Sequence, residues 1–245
     1  MEGSDRTPVI VSAARTPVGR FLGGLTPLKA PELGAVAIRA AIARAGIDAG
    51  EIQDVILGNV LQGGVGQAPA RQAAIAAGIP GTVPALTVNM VCGSGLRAVM
   101  LAAQSIRAGD LSAVVAGGME SMSNAPFYAY GLRNGVKFGD QTLVDGLIKD
   151  GLWCSFCDVH MGGHAEYTAK KAGITRQAQD EFALCSHQKA IAAMDAGRSF
   201  ASASSEVSRR GDSSVLTTVG PFFPGISTGA ISALKRPASI AAIAF

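Results

Sequence analysis

The first 125 residues alternate short apolar runs with amphipathic segments, and this alternation most constrains the fold of the chain. Segments with apolar residues at helical spacing separate apolar runs that are short enough to be strands. The predicted strands begin in the runs 9–11, 55–57, 87–90 and 113–118. Strands alternating with helices favour a mostly parallel sheet with helical crossovers on both faces. The predicted fold class is therefore α/β.

The composition and periodicity of the sequence change twice, which predicts three regions. Residues 1–124 hold the alternating pattern and form an α/β domain. Residues 125–200 begin with a Gly- and aromatic-rich stretch and continue into two predicted helices, at 163–172 and 176–196. Residues 201–245 are rich in serine and carry no periodic segment longer than about two turns. We expect this tail to be atypical and poorly ordered.

Composition excludes several classes of protein. There are 21 basic and 18 acidic residues, a net charge of +3, and no run of five basic residues, so a nucleic-acid partner is not expected. No stretch is long and apolar enough to predict a membrane span. The polar start of the sequence lacks the apolar core of a secretory signal. We expect a cytoplasmic location, where a cysteine can serve as a nucleophile.

Cys92 is the best candidate for a reactive group. It lies in a Gly-rich turn between a predicted strand and a predicted helix. Open α/β sheets bind ligands at the carboxyl ends of their strands, and a helix start favours a thiolate. A small, buried and inert cysteine would give the same local pattern, so the turn by itself leaves both interpretations open.

The turn and five other segments together resemble the thiolase family. Residues 89–99 read NMVCGSGLRAV, which is similar to the nucleophile motif of that family. The segments 11–19 (VSAARTPVG), 58–62 (GNVLQ) and 116–123 (AGGMESMS) resemble family motifs in the right order, as do HMG at 160–162 and AE at 165–166. The resemblance covers about residues 8 to 200. Ketoacyl synthases share the fold that it implies, but the Cys-Gly-Ser-Gly turn favours thiolase.

The resemblance implies acyl transfer through a thioester on Cys92. Condensation of acetyl-CoA and thiolysis of 3-ketoacyl-CoA are the two directions of that reaction. Coenzyme A thioesters would be the substrates, with no other cofactor. Leu152, His160 and Met161 would contact the coenzyme, although packing in the core or a loop is an alternative for each of them. The resemblance further implies a homo-oligomer, either a dimer or a tetramer.

The remaining cysteines are not expected to be catalytic. Cys154 and Cys157 form a C-x2-C pair close to His160 and His164, which is a set of possible zinc ligands. The two pairs lie much closer in sequence than in a zinc finger, so we expect no metal site. Cys185 falls on the apolar side of a predicted helix, and we expect it in the core.

Two groups that the resemblance leads us to expect are absent from this sequence. They are a histidine in a Gly-His-Pro turn and a second cysteine in a Cys-x-Gly turn, whereas the last histidine here is His187 and the last cysteine is Cys185. A truncation or a frameshift that removed the C-terminal thiolase lobe would explain both the absence and the tail. We therefore expect a catalytically incomplete acyltransferase. The alternatives are a non-catalytic fragment that binds coenzyme A or a partner protein, and a fragment with no function of its own.

Overall fold

A computed structural model describes residues 6–196 and 240–244, which fall into two units. The first unit contains the described residues up to Asn124 together with 240–244, and the second begins at Ala125. Among the described residues, no helix is both long and apolar enough to cross a membrane.

The first unit is built around a five-stranded parallel sheet, as the alternating pattern predicts. Its strands lie in the order β1, β9, β4, β2, β3, and every neighbouring pair is parallel. The strands are β1 (Val9–Ala14), β2 (Asp54–Gly58), β3 (Ala85–Val88), β4 (Ala113–Gly118) and β9 (Ile240–Ala244). The helices are α1 (Ala30–Ala45), α2 (Pro69–Ala76) and α3 (Ser94–Ala108).

Helices cover both faces of this sheet because successive strand residues point in opposite directions. Val55 and Leu57 of β2 belong to the apolar cluster that includes α1 and α2. Ile56, between them, belongs to a second cluster that includes α3. Ile38 of α1 and Ile106 of α3 are fully buried in these clusters. Burial of an isoleucine side chain stabilises a fold by about 1.5–3 kcal/mol, so these layers hold the sheet from both sides.

Local signals set the limits of α1. At its start, the Glu32 carboxylate accepts a hydrogen bond of 2.7 Å from the backbone N–H of Lys29. At its end, Gly46 takes the left-handed conformation with a φ of 66°, which a residue with a Cβ rarely adopts. These features set the bounds of α1 at Ala30 and Ala45, directly before the Gly46 stop.

The structure corrects the prediction for the tail at five residues. Ile240–Ala244 form β9, which pairs with β1 on one side and with β4 on the other. The prediction of a poorly ordered tail over 201–245 is therefore wrong for these five residues. An apolar run can complete a buried parallel strand without the alternation that marks a half-buried one. The remainder of that prediction lies outside the described residues.

The second unit contains two small antiparallel hairpins followed by two helices. The hairpins pair β5 (Phe127–Tyr128) with β6 (Val144–Asp145) and β7 (Trp153–Cys154) with β8 (Val159–His160). The helices are α4 (Met161–Lys171) and α5 (Arg176–Asp195), close to the predicted ranges. No residue of α5 is buried, so the prediction that Cys185 lies in the core is wrong. Helical periodicity located its apolar side, but that side is exposed among the residues that the structure describes.

Candidate functional site

The turn between β3 and α3 holds Cys92 in a fixed backbone conformation. The side-chain oxygen of Asn89 accepts a hydrogen bond of 3.0 Å from the N–H of Val91. The Ser94 hydroxyl accepts a bond of 2.9 Å from the N–H of Met90 and donates one of 2.5 Å to the carbonyl of Val91. Val91 has a φ of 48°, an unfavourable value for a β-branched residue, so these bonds hold a strained turn.

Cys92 lies at the start of α3, as the sequence predicts. It is an exposed, free thiol located one residue before Gly93, the N-cap of the helix. No side chain caps this helix start. Gly93 and Ser94 donate their N–H groups to the carbonyls of Met90 and Val91 at 3.1 and 3.0 Å. The N–H groups of Gly95 and Leu96 follow in the first turn of the helix, where backbone donors lack partners within the helix. Because its thiol is exposed, Cys92 is not a buried core side chain.

Glycines allow the start of α3 to contact the ends of two strands. A Cβ at Gly58, the last residue of β2, would lie 2.6 Å from the Cβ of Ser94 and 2.7 Å from the backbone nitrogen of Gly95. A Cβ at Gly118, the last residue of β4, would lie 3.4 Å from the Cα of Gly95. Bulkier residues would push the helix away from the sheet. The glycines thus place Cys92 at the carboxyl edge, where open α/β sheets bind their ligands.

A carboxylate supports the loop that follows β2 at the same edge. Glu120 accepts hydrogen bonds from the side-chain amide of Asn59 at 2.7 Å and from the N–H groups of Val60 and Leu61 at 3.0 and 3.1 Å. The amide of Asn89, in the Cys92 turn, donates to the carbonyl of Val60 at 3.5 Å. Burial raises the pKa of Glu120 above its ordinary value, and the three bonds oppose that rise. Glu120 therefore connects the two loops indirectly.

Sequence reasoning did not assign a role to Asn59 or Glu120. Both were noted only within segments that resemble family motifs. Their positions in the sequence could have indicated a role. Asn59 comes directly after the buried strand β2, and Glu120 comes two residues after the buried strand β4. The carboxyl ends of parallel strands meet at one edge, so polar residues at two such ends are candidates for contact.

The residues predicted to contact coenzyme A lie together in the second unit. Trp153 of β7 pairs with His160 of β8, and Leu152 and Met161 flank this pair along the chain. His160 caps α4, since its Nδ1 accepts a hydrogen bond of 3.0 Å from the N–H of Gly162. Leu152 and Met161 are half-buried, and His160 is exposed. The hairpin therefore brings the three residues to its open end, while their role stays a prediction.

A shallow cavity lies next to these residues. Its volume is about 250 Å³, and it is lined by Val144, Asp145, Ile148, Lys149 and Trp153. The lining combines an aromatic ring and aliphatic side chains with one cation and one carboxylate. Apolar walls with a few charged groups are typical of sites for organic ligands.

The structure also brings together three of the four possible metal ligands. The sulfur atoms of Cys154 and Cys157 and a ring nitrogen of His164 all lie within 4.8 Å of one another. Backbone N–H groups of Cys157 and Phe156 lower the pKa of Cys154 to about 7, and His164 adds to this effect. The neighbouring Cys154 raises the pKa of Cys157. Sequence spacing argued against a cluster, whereas a tight turn after β7 brings the two cysteines together.

The fold and the turn define an α/β protein with a cysteine at the strand-to-helix edge of a parallel sheet. Residues 8–211 match the family described as thiolase, N-terminal domain. The chain belongs to the thiolase family, which confirms the resemblance and the predicted fold class.

Acetyl-CoA acetyltransferases from distant organisms are similar to this chain. The enzyme of Cupriavidus necator is 59% identical over 190 residues, which are 78% of this chain and 48% of that protein. The enzyme of Pseudomonas aeruginosa is 56% identical over the same shares of the two chains. Acetyl-CoA acetyltransferase 2 of Arabidopsis thaliana is 54% identical over 192 residues, again 78% and 48%. The chain thus spans about half the length of the curated relatives that it matches.

Proposed function

We propose that this chain carries the acyl-accepting half of a thiolase-type acyltransferase, with Cys92 as the nucleophile. The observation that carries the proposal is the exposed thiol on a hydrogen-bonded turn at the uncapped start of α3. The names of the relatives make acetyl-CoA the expected acyl donor.

In the first step, the sulfur of Cys92 attacks the thioester carbonyl of acetyl-CoA. A bond forms between that sulfur and the acetyl carbon, and the bond from the acetyl carbon to the coenzyme sulfur breaks. The coenzyme leaves as a thiolate and takes the proton that Cys92 gives up. The N–H groups in the first turn of α3 that lack a partner within the helix are suitable donors for the negative charge that develops on the carbonyl oxygen.

The second step needs a base, and the first unit contains no histidine. A second acetyl-CoA must lose a methyl proton before its carbon attacks the acetyl group and restores the Cys92 thiol. All three histidines, His160, His164 and His187, lie in the second unit. General acid–base help is worth about 10²–10⁴-fold. We therefore propose that this polypeptide forms the acetyl-cysteine and completes condensation or thiolysis poorly.

Coenzyme A is the proposed ligand of the second unit. Leu152 and Met161 offer partly buried apolar surface beside the pair of Trp153 and His160. The cavity lined in part by Lys149 and Trp153 provides a cation and a ring, which suit a phosphate and an aromatic base. No metal or redox group takes part in this proposed acyl transfer.

We also propose a homo-oligomer, a dimer or a tetramer, in the cytoplasm. In the first unit, apolar side chains on β3 and α3 are exposed, including Leu86, Leu96 and Met100. Contiguous exposed apolar surface is typical of protein interfaces. All four cysteines are free thiols, which fits a reducing compartment. Sedimentation velocity of the purified chain tests the assembly state, and a monomer at all concentrations would contradict it.

Exchange of labelled coenzyme A into acetyl-CoA tests the proposed first step alone. It requires the nucleophile but not the second deprotonation. We expect slow exchange that is abolished in Cys92→Ala and retained in Cys185→Ala, a matched exposed cysteine. Thiolysis of acetoacetyl-CoA should stay near the Cys92→Ala blank. Binding of coenzyme A without any exchange would favour the alternative, a non-catalytic binding fragment.

A further inference from the structure

Cys154, Cys157 and His164 form a compact set of donors that acyl transfer does not use. Cys154 ends β7, Cys157 lies in the turn before β8, and His164 lies in the first turn of α4. The donor atoms lie within 4.8 Å of one another, although no covalent bond joins them. Such separations allow all three to reach one ion at bond lengths of about 2.0–2.3 Å.

The turn that carries the cysteines is fixed by its own hydrogen bonds. The N–H of Asp158 donates to the carbonyl of Cys154 at 3.0 Å, and Asp158 takes a φ of 53°. The indole N–H of Trp153 donates to the carboxylate of Asp158 at 2.8 Å. A turn held in this way keeps the two sulfur atoms on the same side without help from a ligand.

The chemistry of the donors selects the class of ligand. Two thiolates and a neutral imidazole carry a charge of −2, which balances one divalent cation. Sulfur and imidazole nitrogen are the preferred ligands of Zn²⁺, whereas Mg²⁺ and Ca²⁺ prefer oxygen. A C-x2-C pair is a common source of two zinc ligands. The Asp158 carboxylate is already bonded to Trp153, which leaves a fourth position to water.

We propose that Cys154, Cys157 and His164 bind one divalent metal ion of the zinc class. Both thiols lose their protons to solvent as the two metal–sulfur bonds form, and the imidazole binds as a neutral ligand. The ion joins the turn of the β7–β8 hairpin to the first turn of α4. Its role is structural, because it would hold the segment from Leu152 to Met161 in one conformation.

A disulfide between Cys154 and Cys157 is the competing use of the same pair. Formation of the disulfide would need an oxidant that accepts two electrons. The disulfide would also give His164 no role at this site. The convergence of the imidazole with both sulfur atoms favours the metal. The experiment below separates the two, because only the metal depends on His164.

Titration with Co²⁺ under reducing conditions tests the proposal on the full 245-residue chain. Co²⁺ reports tetrahedral geometry through visible absorption and thiolate ligands through near-ultraviolet charge-transfer bands. We expect saturation at one ion per chain and displacement by one equivalent of Zn²⁺. The proposal is overturned if no saturable thiolate bands form, or if the reduced chain only forms a Cys154–Cys157 disulfide when exposed to air.

Matched variants identify the ligands. Cys157→Ser and His164→Gln should each weaken Zn²⁺ binding by about 100-fold or more, since even the loss of an outer-shell partner costs about 10–100-fold. Cys185→Ser and His187→Gln alter the same residue types on α5 and should bind as the wild type does. Equal affinity in all four variants would overturn the assignment. Circular dichroism of the metal-free variants checks that each remains folded.

Discussion

The close contact between Gly58 and the start of α3 makes Gly58→Ala a sharp test of how Cys92 is positioned. The added Cβ would lie 2.6 Å from the Cβ of Ser94 and 2.7 Å from both the backbone carbonyl carbon of Ser94 and the nitrogen of Gly95. Two of these three atoms belong to the backbone, so no side-chain rotation can remove the clash. Either β2 or the start of α3 must move.

The expected cost follows from that geometry. Overpacking a well-packed site usually destabilises a protein by about 1–3 kcal/mol, and we expect Gly58→Ala in the upper half of that range because backbone has to shift. Gly81→Ala is the matched control. A Cβ at Gly81 would meet only the end of the Arg71 side chain, at 3.9 Å, and should change the free energy of unfolding by less than about 0.5 kcal/mol.

Urea unfolding followed by circular dichroism measures both variants, and alkylation of Cys92 under native conditions reports on the turn. We expect Gly58→Ala to lower the free energy of unfolding and to alter the alkylation rate of Cys92, while Gly81→Ala does neither. If Gly58→Ala matched the control in both measurements, the close packing of α3 on β2 would be refuted.

Three further predictions use the ionisable groups. Backbone N–H donors lower the pKa of Cys154 to about 7 from an ordinary 9.0. At pH 7 in a chelating buffer, iodoacetamide should therefore label Cys154 about fivefold faster than an unstructured peptide thiol. Equal labelling rates would contradict this prediction. The hydrogen bond to Asp150 raises the pKa of Tyr128 to about 12, so its phenolate absorbance should appear at lower pH in Asp150→Asn, and an unchanged titration would contradict the bond. Burial raises the pKa of Glu120, so its contribution to the free energy of unfolding is present below its ordinary pKa and is lost as the pH rises through the higher folded-state value. Urea unfolding of Glu120→Gln beside the wild type should therefore show a difference that changes as the pH rises above the ordinary pKa of a glutamate, and a constant difference would contradict it.

Local features of the fold could be read from the sequence because each depends on a few adjacent residues. Gly46 and Gly109 take the left-handed conformation just past α1 and α3, as glycines after a helical pattern predict. The turn at Cys92 was likewise predicted, since the two glycines around Ser94 interrupt the apolar pattern between the strand and the helix. Such signals need no knowledge of distant residues.

Features that depend on distant residues were missed. Strand β9 lies between β1 and β4, although it follows β4 by more than a hundred residues along the chain. The sequence of its five apolar residues does not indicate which strands they pair with. Parallel strands pair through crossovers of any length, so their sequence order does not give their position in the sheet.

The cluster of Cys154, Cys157 and His164 could not be predicted from the sequence either, although its residues are close along the chain. Its residues were identified from sequence, but their spacing argued against a shared site. A turn with Asp158 in a left-handed conformation folds the two cysteines toward α4. Spacing alone does not reveal such a turn, because Asp is compatible with both ordinary and left-handed backbone conformations.

The site of acetylation tests the central claim most directly. The 245-residue chain is incubated with increasing acetyl-CoA, quenched in acid, digested and mapped by mass spectrometry, with free coenzyme A as competitor. We expect acetylation of Cys92 that saturates with acetyl-CoA and is suppressed by coenzyme A, and none of this behaviour at Cys185. Saturable acetylation at Cys154, Cys157 or Cys185 with an unmodified Cys92 would contradict it.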